Sequence, residues 1–308
     1  MLTEVVSIGL PVDEQLVIKK NRLTPPTGSG KRVCIVTGTH GDELDGQYIC
    51  YELTRRIQEN PHLLTGIVDI YPALNPLGLD SINRGIPMFD LDMNRIFPGS
   101  ENGASAEYIA AKVIEDILGA DLCIDLHSSN VFLREMPQVR IGDDTAHKLM
   151  PYAKLLNVEL VWVYRSVTVL EATLAHSLNA GGVPTLAIET GVGMRIDTGC
   201  GDRLADGIFN LLHTLGVWQK KPEGIGEPLI STDYRAEFVV ASASGVFLSC
   251  QVHGTRVKKG DVLGRIINPL EGEIKEWVKA PCDGLVFSLR EYPVVYEGTM
   301  LARILVHP

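Results

Sequence analysis

The chain has 308 residues, 45% of them hydrophobic and 21% charged, with six cysteines and a formal net charge of −10. That length suits one large or two ordinary domains with ample chain for a core. No stretch approaches the roughly 18 consecutive apolar residues of a membrane-spanning helix. The first residues carry Glu4, Asp13 and Glu14 and lack the basic start of a secretory signal. Cys34, Cys50, Cys123, Cys200, Cys250 and Cys282 are scattered and form no CxxC, the pattern of reduced thiols in a cytoplasmic protein. Residues 229–308 balance nine basic against nine acidic residues, so the rest of the chain, with 19 basic and 29 acidic, carries the whole net charge. No stretch concentrates Lys and Arg among aromatics, which argues against nucleic acid as a partner. An acidic surface repels anions at long range, so an anionic substrate would need specific arginines to hold it.

In chain order, 32–38 (RVCIVTG) is a short β-branched strand and 44–59 has apolar residues at helical spacing. The next strand is 66–73, and a long Gly- and Pro-containing stretch follows it to Gly103. A helix is predicted over 105–118 with Ser105 as its N-cap. Strands 122–126 (LCIDL), 158–164 (VELVWVY) and 185–188 (TLAI) are separated by helical segments 144–156 and 171–180, and a last helix covers about 202–216. This alternation predicts an α/β fold: a mainly parallel, mixed sheet with helices on both faces. At 220–228 (KKPEGIGEP) the texture changes to a linker. Beyond it lie short β-type runs punctuated by Gly, a small C-terminal all-β domain of about 80 residues. The predicted division is 1–222 and 229–308.

The sharpest local feature is THGDE at 39–43, directly after the first strand. His40 and Glu43 sit three apart at a strand-to-helix turn, where both side chains can point to one side. Imidazole and carboxylate are good zinc ligands, and a catalytic zinc takes three protein ligands and keeps one position open. The same residues also suit a polar turn that caps the helix through Asp42 or Glu43. In LCIDLHSSN, Asp125 and His127 share one face at a strand end. That is the sheet edge to which the first strand delivers His40, and open α/β sheets bind ligands there. Asp125 is placed to orient His127, or merely sits beside it. Glu189 follows the buried run TLAI, as a helix-capping carboxylate or as a general base beside a metal.

Taken together, THGDE, FDLDMNRIFPG at 89–99, DLHSSN and AIETG resemble the succinylglutamate desuccinylase/aspartoacylase family of the zinc carboxypeptidase-like superfamily. The resemblance covers most of the chain. It implies one Zn²⁺ per chain held by His40, Glu43 and His127, with Glu189 as the base that activates water. It implies that Asn94 and Arg95 hold a substrate carboxylate, a task to which the planar fork of Arg is suited. Arg84, in INRG, is similar to the family's oxyanion-stabilising arginine. The additional arginine that aspartoacylases carry about ten residues before the base has no counterpart, since Asn179 stands there, so N-acetylaspartate is not implied as the substrate. Tyr292 and Tyr296 are candidates for a late tyrosine but no motif anchors either.

The tail, with ASGVF, VKKGDVLGRI, VKAPCDGLVF and EGTMLARI, resembles the barrel-sandwich domains of biotinyl and lipoyl carriers. Its corresponding turn, NPLEGE at 268–273, has no Lys, and Lys275 and Lys279 fall in or beside the next strand. A structural β domain packed beside the site is therefore expected. TPPTGSGK at 24–31 precedes a strand instead of following one, which fails the P-loop order. No Gly-x-Ser-x-Gly elbow accompanies Ser128 and Ser129. His62, His147, His176, His213, His253 and His307 have no partners at ligand spacing. The reading is a zinc-dependent amidohydrolase that removes an acyl group from a small anionic N-acyl amino acid. A metallocarboxypeptidase acting on a peptide C-terminus is the alternative, and a non-catalytic binding protein the third class. Neither a membrane nor nucleic acid is expected as a partner, and a homo-oligomer stays open.

Overall fold

The computed structural model describes residues 1–26, 28–165, 171–232 and 235–306. Seventeen strands and six α-helices occur among them. The strands are β1 (Leu2–Gly9), β2 (Gln15–Leu23), β3 (Arg32–Val36), β4 (Ile67–Tyr71), β5 (Leu122–Ser128), β6 (Leu133–Gly142), β7 (Leu160–Tyr164), β8 (Thr185–Gly191) and β9 (Leu229–Thr232). The chain then continues through β10 (Ala236–Val240), β11 (Gly245–Ser249), β12 (Arg256–Val257), β13 (Val262–Asn268), β14 (Glu273–Lys279), β15 (Gly284–Arg290), β16 (Val294–Val295) and β17 (Met300–Val306). The helices are α1 (Asp45–Glu59), α2 (Pro76–Ser81), α3 (Ser105–Ile117), α4 (Ala146–Ala153), α5 (Leu174–Ala180) and α6 (Thr198–Thr214).

The large sheet is mixed, in the order β1-β2-β4-β3-β5-β8-β6-β15-β17-β10, with β12 on β15 and β7–β9 branching from β6. Its centre is parallel: β3 pairs with β4 and β5, and β5 with β8. Antiparallel partners flank it, the β1–β2 hairpin on one side and β6 on the other. Neither the hairpin nor β6 is among the expected strands. The hairpin's inward row ends in Lys20, a buried cation whose Nζ lies 2.6 Å from Asp116 and 3.5 Å from Asp69, so it does not read as an apolar alternation. In β6, Glu135 and Gln138 are buried among apolar residues.

The core follows the strand alternation. Val33 and Ile35 pack in one cluster with Ile49 and Leu53 of α1 and Leu204 and Ile208 of α6. Cys34 and Val36 belong to another, with Ile109 and Val113 of α3 and Leu174 and Leu178 of α5. All six cysteines are unpaired. No helix among the described residues is long and apolar enough to cross a membrane.

Further details depart from expectation. Ala104, not Ser105, is the residue before α3, and the Glu107 carboxylate turns back to accept its backbone N–H at 3.0 Å. Strand β8 also runs on through Glu189 to Gly191, so this acid is a strand residue and caps no helix. In the tail, β14-β13-β11-β16 form a second, antiparallel sheet around Phe247, Leu263 and Ile266. The turn at 268–273 joins β13 to β14, and Lys275 and Lys279 lie on β14. The other tail strands join the large sheet: β15 pairs with β6, β17 with β15, and β9 with β7. Met136, Leu160, Leu285, Phe287 and Leu305 pack together across that seam.

Candidate metal centre

Strand β3 stops at Val36, and the turn after it is tied down from three directions. Thr37 donates its N–H to Tyr71 at 2.9 Å, its hydroxyl bonds the Leu126 carbonyl at 3.0 Å, and Gly41 N–H reaches Asn83 at 2.9 Å. A side chain at Gly41 would collide with the Gly78 backbone, so the turn can pass there only as glycine. This placement aims His40 and Glu43 inward, where they are 2% and 4% exposed. His127, from the end of β5, is 5% exposed.

The three side chains converge, with a ligand atom from each lying within 4.8 Å of the others. No other such cluster of metal-ligating groups occurs among the described residues. His40 Nδ1 lies 2.8 Å from Glu43 Oε1, yet it has no aligned hydrogen-bond partner. His127 Nδ1 is 2.9 Å from Glu43 Oε2. On their far sides the rings face further carboxylates: His40 Nε2 is 3.0 Å from Asp92, and His127 Nε2 is 3.1 Å from the fully buried Asp125. Such outward carboxylates set the tautomer and orientation of metal-ligating imidazoles. Arg84 Nη1 reaches Glu43 Oε1 at 2.9 Å, and its Nε lies 3.4 Å from Asp92.

Electrostatics support the same use. Burial favours a neutral Glu43, but the two imidazoles outweigh it and hold the carboxyl at about 2. Burial also opposes charge on His127, yet Asp125 and Glu43 carry its pKa well above the ordinary value. His40 is likewise raised, by Asp92 and Glu43 against burial. Two rings enclosed by three carboxylates demand positive charge, from protons or from a cation. The donor set of two imidazole nitrogens and one carboxylate fits Zn²⁺ with a position left open.

Glu189 sits beside this cluster, because β8 pairs in parallel with β5 and puts Glu189 opposite His127. Burial raises its carboxyl, against the pull of Arg140 and His127. Arg140 Nη1 donates to Glu189 Oε1 at 3.2 Å. The sequence pattern did not single out Arg140 or Asp92; Asp92 lies inside the FDLDMNR motif, whereas Arg140 has no motif of its own. Asn94 and Arg95 lie in a short 3₁₀ turn, Met93–Arg95, with Asp92 accepting the Asn94 N–H at 2.9 Å. Asn94 is buried and accepts the Leu174 N–H at 2.9 Å, so its amide N–H₂ is the end left for a ligand. Arg95 is exposed and bonds the Asn94 carbonyl at 2.7 Å; it forms no ion pair among the described residues. Tyr292 stacks edge-on against Phe132 at 5.8 Å, and Tyr296 is 71% exposed. His307 lies outside the described residues.

Comparison with known proteins gives concordant matches. Residues 29–215 match the model of the succinylglutamate desuccinylase/aspartoacylase catalytic domain. An N-alpha-acetyl-L-2,4-diaminobutyric acid deacetylase of Halomonas elongata is 26% identical over 90% of this chain and 82% of its own length. A probable aspartoacylase of Nostoc is 27% identical, covering 87% of each. Among solved structures, a succinylglutamate desuccinylase/aspartoacylase from Rhodobacter sphaeroides superposes with a TM-score of 0.83 at 22% identity, over 100% of this chain and 96% of that one. The product-bound ectoine utilization protein EutE (DoeB) of Ruegeria pomeroyi gives 0.82 at 21% identity, over 98% and 93%.

Proposed function

Since the chain belongs to the succinylglutamate desuccinylase/aspartoacylase family, we propose that it is a zinc-dependent deacylase that hydrolyses the amide of a small, carboxylate-bearing N-acyl amino acid. The observation that carries this reading is the convergence of His40, Glu43 and His127 on one point, with Glu189 on the neighbouring strand. The division of β3 side chains between clusters containing α1 and α6 and containing α3 and α5 supports a zinc carboxypeptidase-like layering, with helices on both faces. Six unpaired thiols agree with a reducing compartment such as the cytoplasm.

His40, Glu43 and His127 would hold one Zn²⁺, which when bound polarises the amide carbonyl and acidifies water. Glu189 accepts the proton of the attacking water and returns it to the departing amine. Its desolvated carboxylate suits this exchange, because burial raises its proton affinity. Arg84, beside Glu43, offers its guanidinium to the negative charge that develops on the carbonyl oxygen. Arg95, without a carboxylate partner among the described residues, and the Asn94 amide bind the substrate carboxylate and so fix where the carbonyl sits.

The test is metal analysis of the purified protein, followed by assay of N-acyl amino acids against dipeptides with a free C-terminus. About one zinc per chain is expected, with release of free amino acid from the N-acyl substrates. The His40→Ala/His127→Ala variant should lose the metal. Stoichiometric zinc in that variant, or hydrolysis of dipeptides alone, would overturn the assignment.

A further inference from the structure

Beside Glu189 runs a chain of charges that ends in the last strand of the protein. Strand β6 supplies both Glu135 and Arg140. Glu135 pairs in register with Ser288 of β15, and Ser288 with Arg303 of β17. The three positions therefore form one row across three strands. Ser288 is small and fully buried, which leaves the row open for the long arginine to reach over it. Arg303 Nη1 meets Glu135 Oε1 at 2.7 Å, while Arg140 Nη2 and Gln138 Nε2 meet Glu135 Oε2 at 2.5 and 2.9 Å. Glu135 is only 2% exposed, so these three donors replace the water it has lost. Both guanidinium carbons lie 5.5 Å from the Trp162 ring, which walls the cluster.

We propose that Arg140 is a positioning residue for Glu189, and that Arg303 of the C-terminal strand sets Arg140 through the buried carboxylate of Glu135. The inference rests on the reading of Glu189 as the base. Arg140 divides its two ends between two carboxylates, with the short bond to Glu135 and the longer one, 3.2 Å, to Glu189 Oε1. The bond to Oε1 fixes the plane of the carboxylate and leaves Oε2 as the oxygen that takes the proton. Arg303 matters because it supplies half of the positive charge around Glu135. Without it, Glu135 draws Arg140 inward and the weaker bond to Glu189 is the one that gives way. A general base works only within hydrogen-bond reach of its proton, and a misplacement of about 1 Å can cost up to ~100-fold in rate. Substrate affinity depends on Asn94 and Arg95, which are on a separate turn, so it should stay unchanged.

The experiment measures kcat, KM and zinc content of the full-length protein on the best N-acyl amino acid found for the parent. Arg303→Met is expected to lower kcat about tenfold, with KM within about twofold and zinc retained. Arg140→Met should lower kcat at least as far. The Arg140→Met/Arg303→Met double variant should be no slower than Arg140→Met alone, because both changes break one chain. Glu135→Gln/Arg303→Met removes one charge of each sign and guards against a fold failure from an unpaired buried carboxylate. It too should lower kcat at unchanged KM, because Arg140 then loses the charged anchor that holds its other end. Parental kcat in Arg303→Met or in the charge-balanced pair overturns the proposal, as does a double variant slowed by the product of its single effects. A zinc-loaded parent that hydrolyses no N-acyl amino acid would instead refute the deacylase reading itself.

Discussion

Each ring of the histidine pair faces a carboxylate on both sides, and this double contact separates it from the other described histidines. His213, for comparison, only meets the Trp218 carbonyl at 3.1 Å. Three consequences follow at single residues. Glu189→Gln keeps the size of the side chain and removes the proposed base, so bound metal should remain while turnover falls by ~10²–10⁴; near-parental activity with bound metal would sink the role. Burial raises the Glu189 carboxyl and Arg140 opposes that rise. In the proposed role it must be ionised, so kcat/KM should fall as pH drops through its pKa, which burial raises from the ordinary value. Arg140→Met, lacking the opposing cation, should move this acid limb to higher pH in a pH–rate profile. Arg95→Lys replaces a two-pronged donor by a single ammonium and should raise KM more than it lowers kcat. Unchanged KM on a carboxylate-bearing substrate would remove Arg95 from the binding wall.

Among the elements, the turn between β3 and α1 carries the most consequence per residue. Its backbone is held by Tyr71 and Asn83 and its Thr37 hydroxyl by Leu126, and Gly41 touches the backbone of Gly78 with no room for a methyl group. Neither side of that contact is a flexible side chain, so one backbone must shift, at a cost of about 1–3 kcal/mol. Gly41→Ala should therefore displace His40 and Glu43 and lower bound zinc well below parental stoichiometry, while circular dichroism still reports a cooperative fold. Full metal content in that variant would show that the turn tolerates the shift. Strand β6 illustrates the converse case, an element hidden from pattern reading. Its sequence LREMPQVRIG has no regular apolar alternation, because Glu135 accepts hydrogen bonds from Gln138 and Arg140 inside the sheet. Polar residues there imitate a loop until their partners on β8 and β17 are seen.

For the whole molecule, the tail completes the sheet that holds the site. Strand β15 lies along β6, and Leu285, Phe287 and Leu305 pack against Met136 and Leu160. Removing 229–308 would uncover the β6 edge and that apolar seam, and exposed apolar edges template association. The truncated chain is expected to aggregate in sedimentation experiments. A soluble, zinc-binding fragment with parental activity would instead make the tail dispensable.

Sequence alone determined the parts whose physics is local. The runs at 32–38, 122–126 and 185–188 are mostly apolar because parallel central strands are buried on both faces. Their ends therefore announced the edge where His40, His127 and Glu189 meet. The metal-type ligands were legible because few residue types carry such chemistry and because THGDE, DLHSSN and AIETG stand at strand ends. Tertiary structure alone decided the contacts made between distant segments. Examples are Asp92 against His40, Arg140 against Glu189, Lys20 beneath Asp69 and Asp116, and Arg303 across Ser288 to Glu135. A charged residue is written in the sequence as if for water, and only its partner, up to 168 positions away, tells whether it lies in the core.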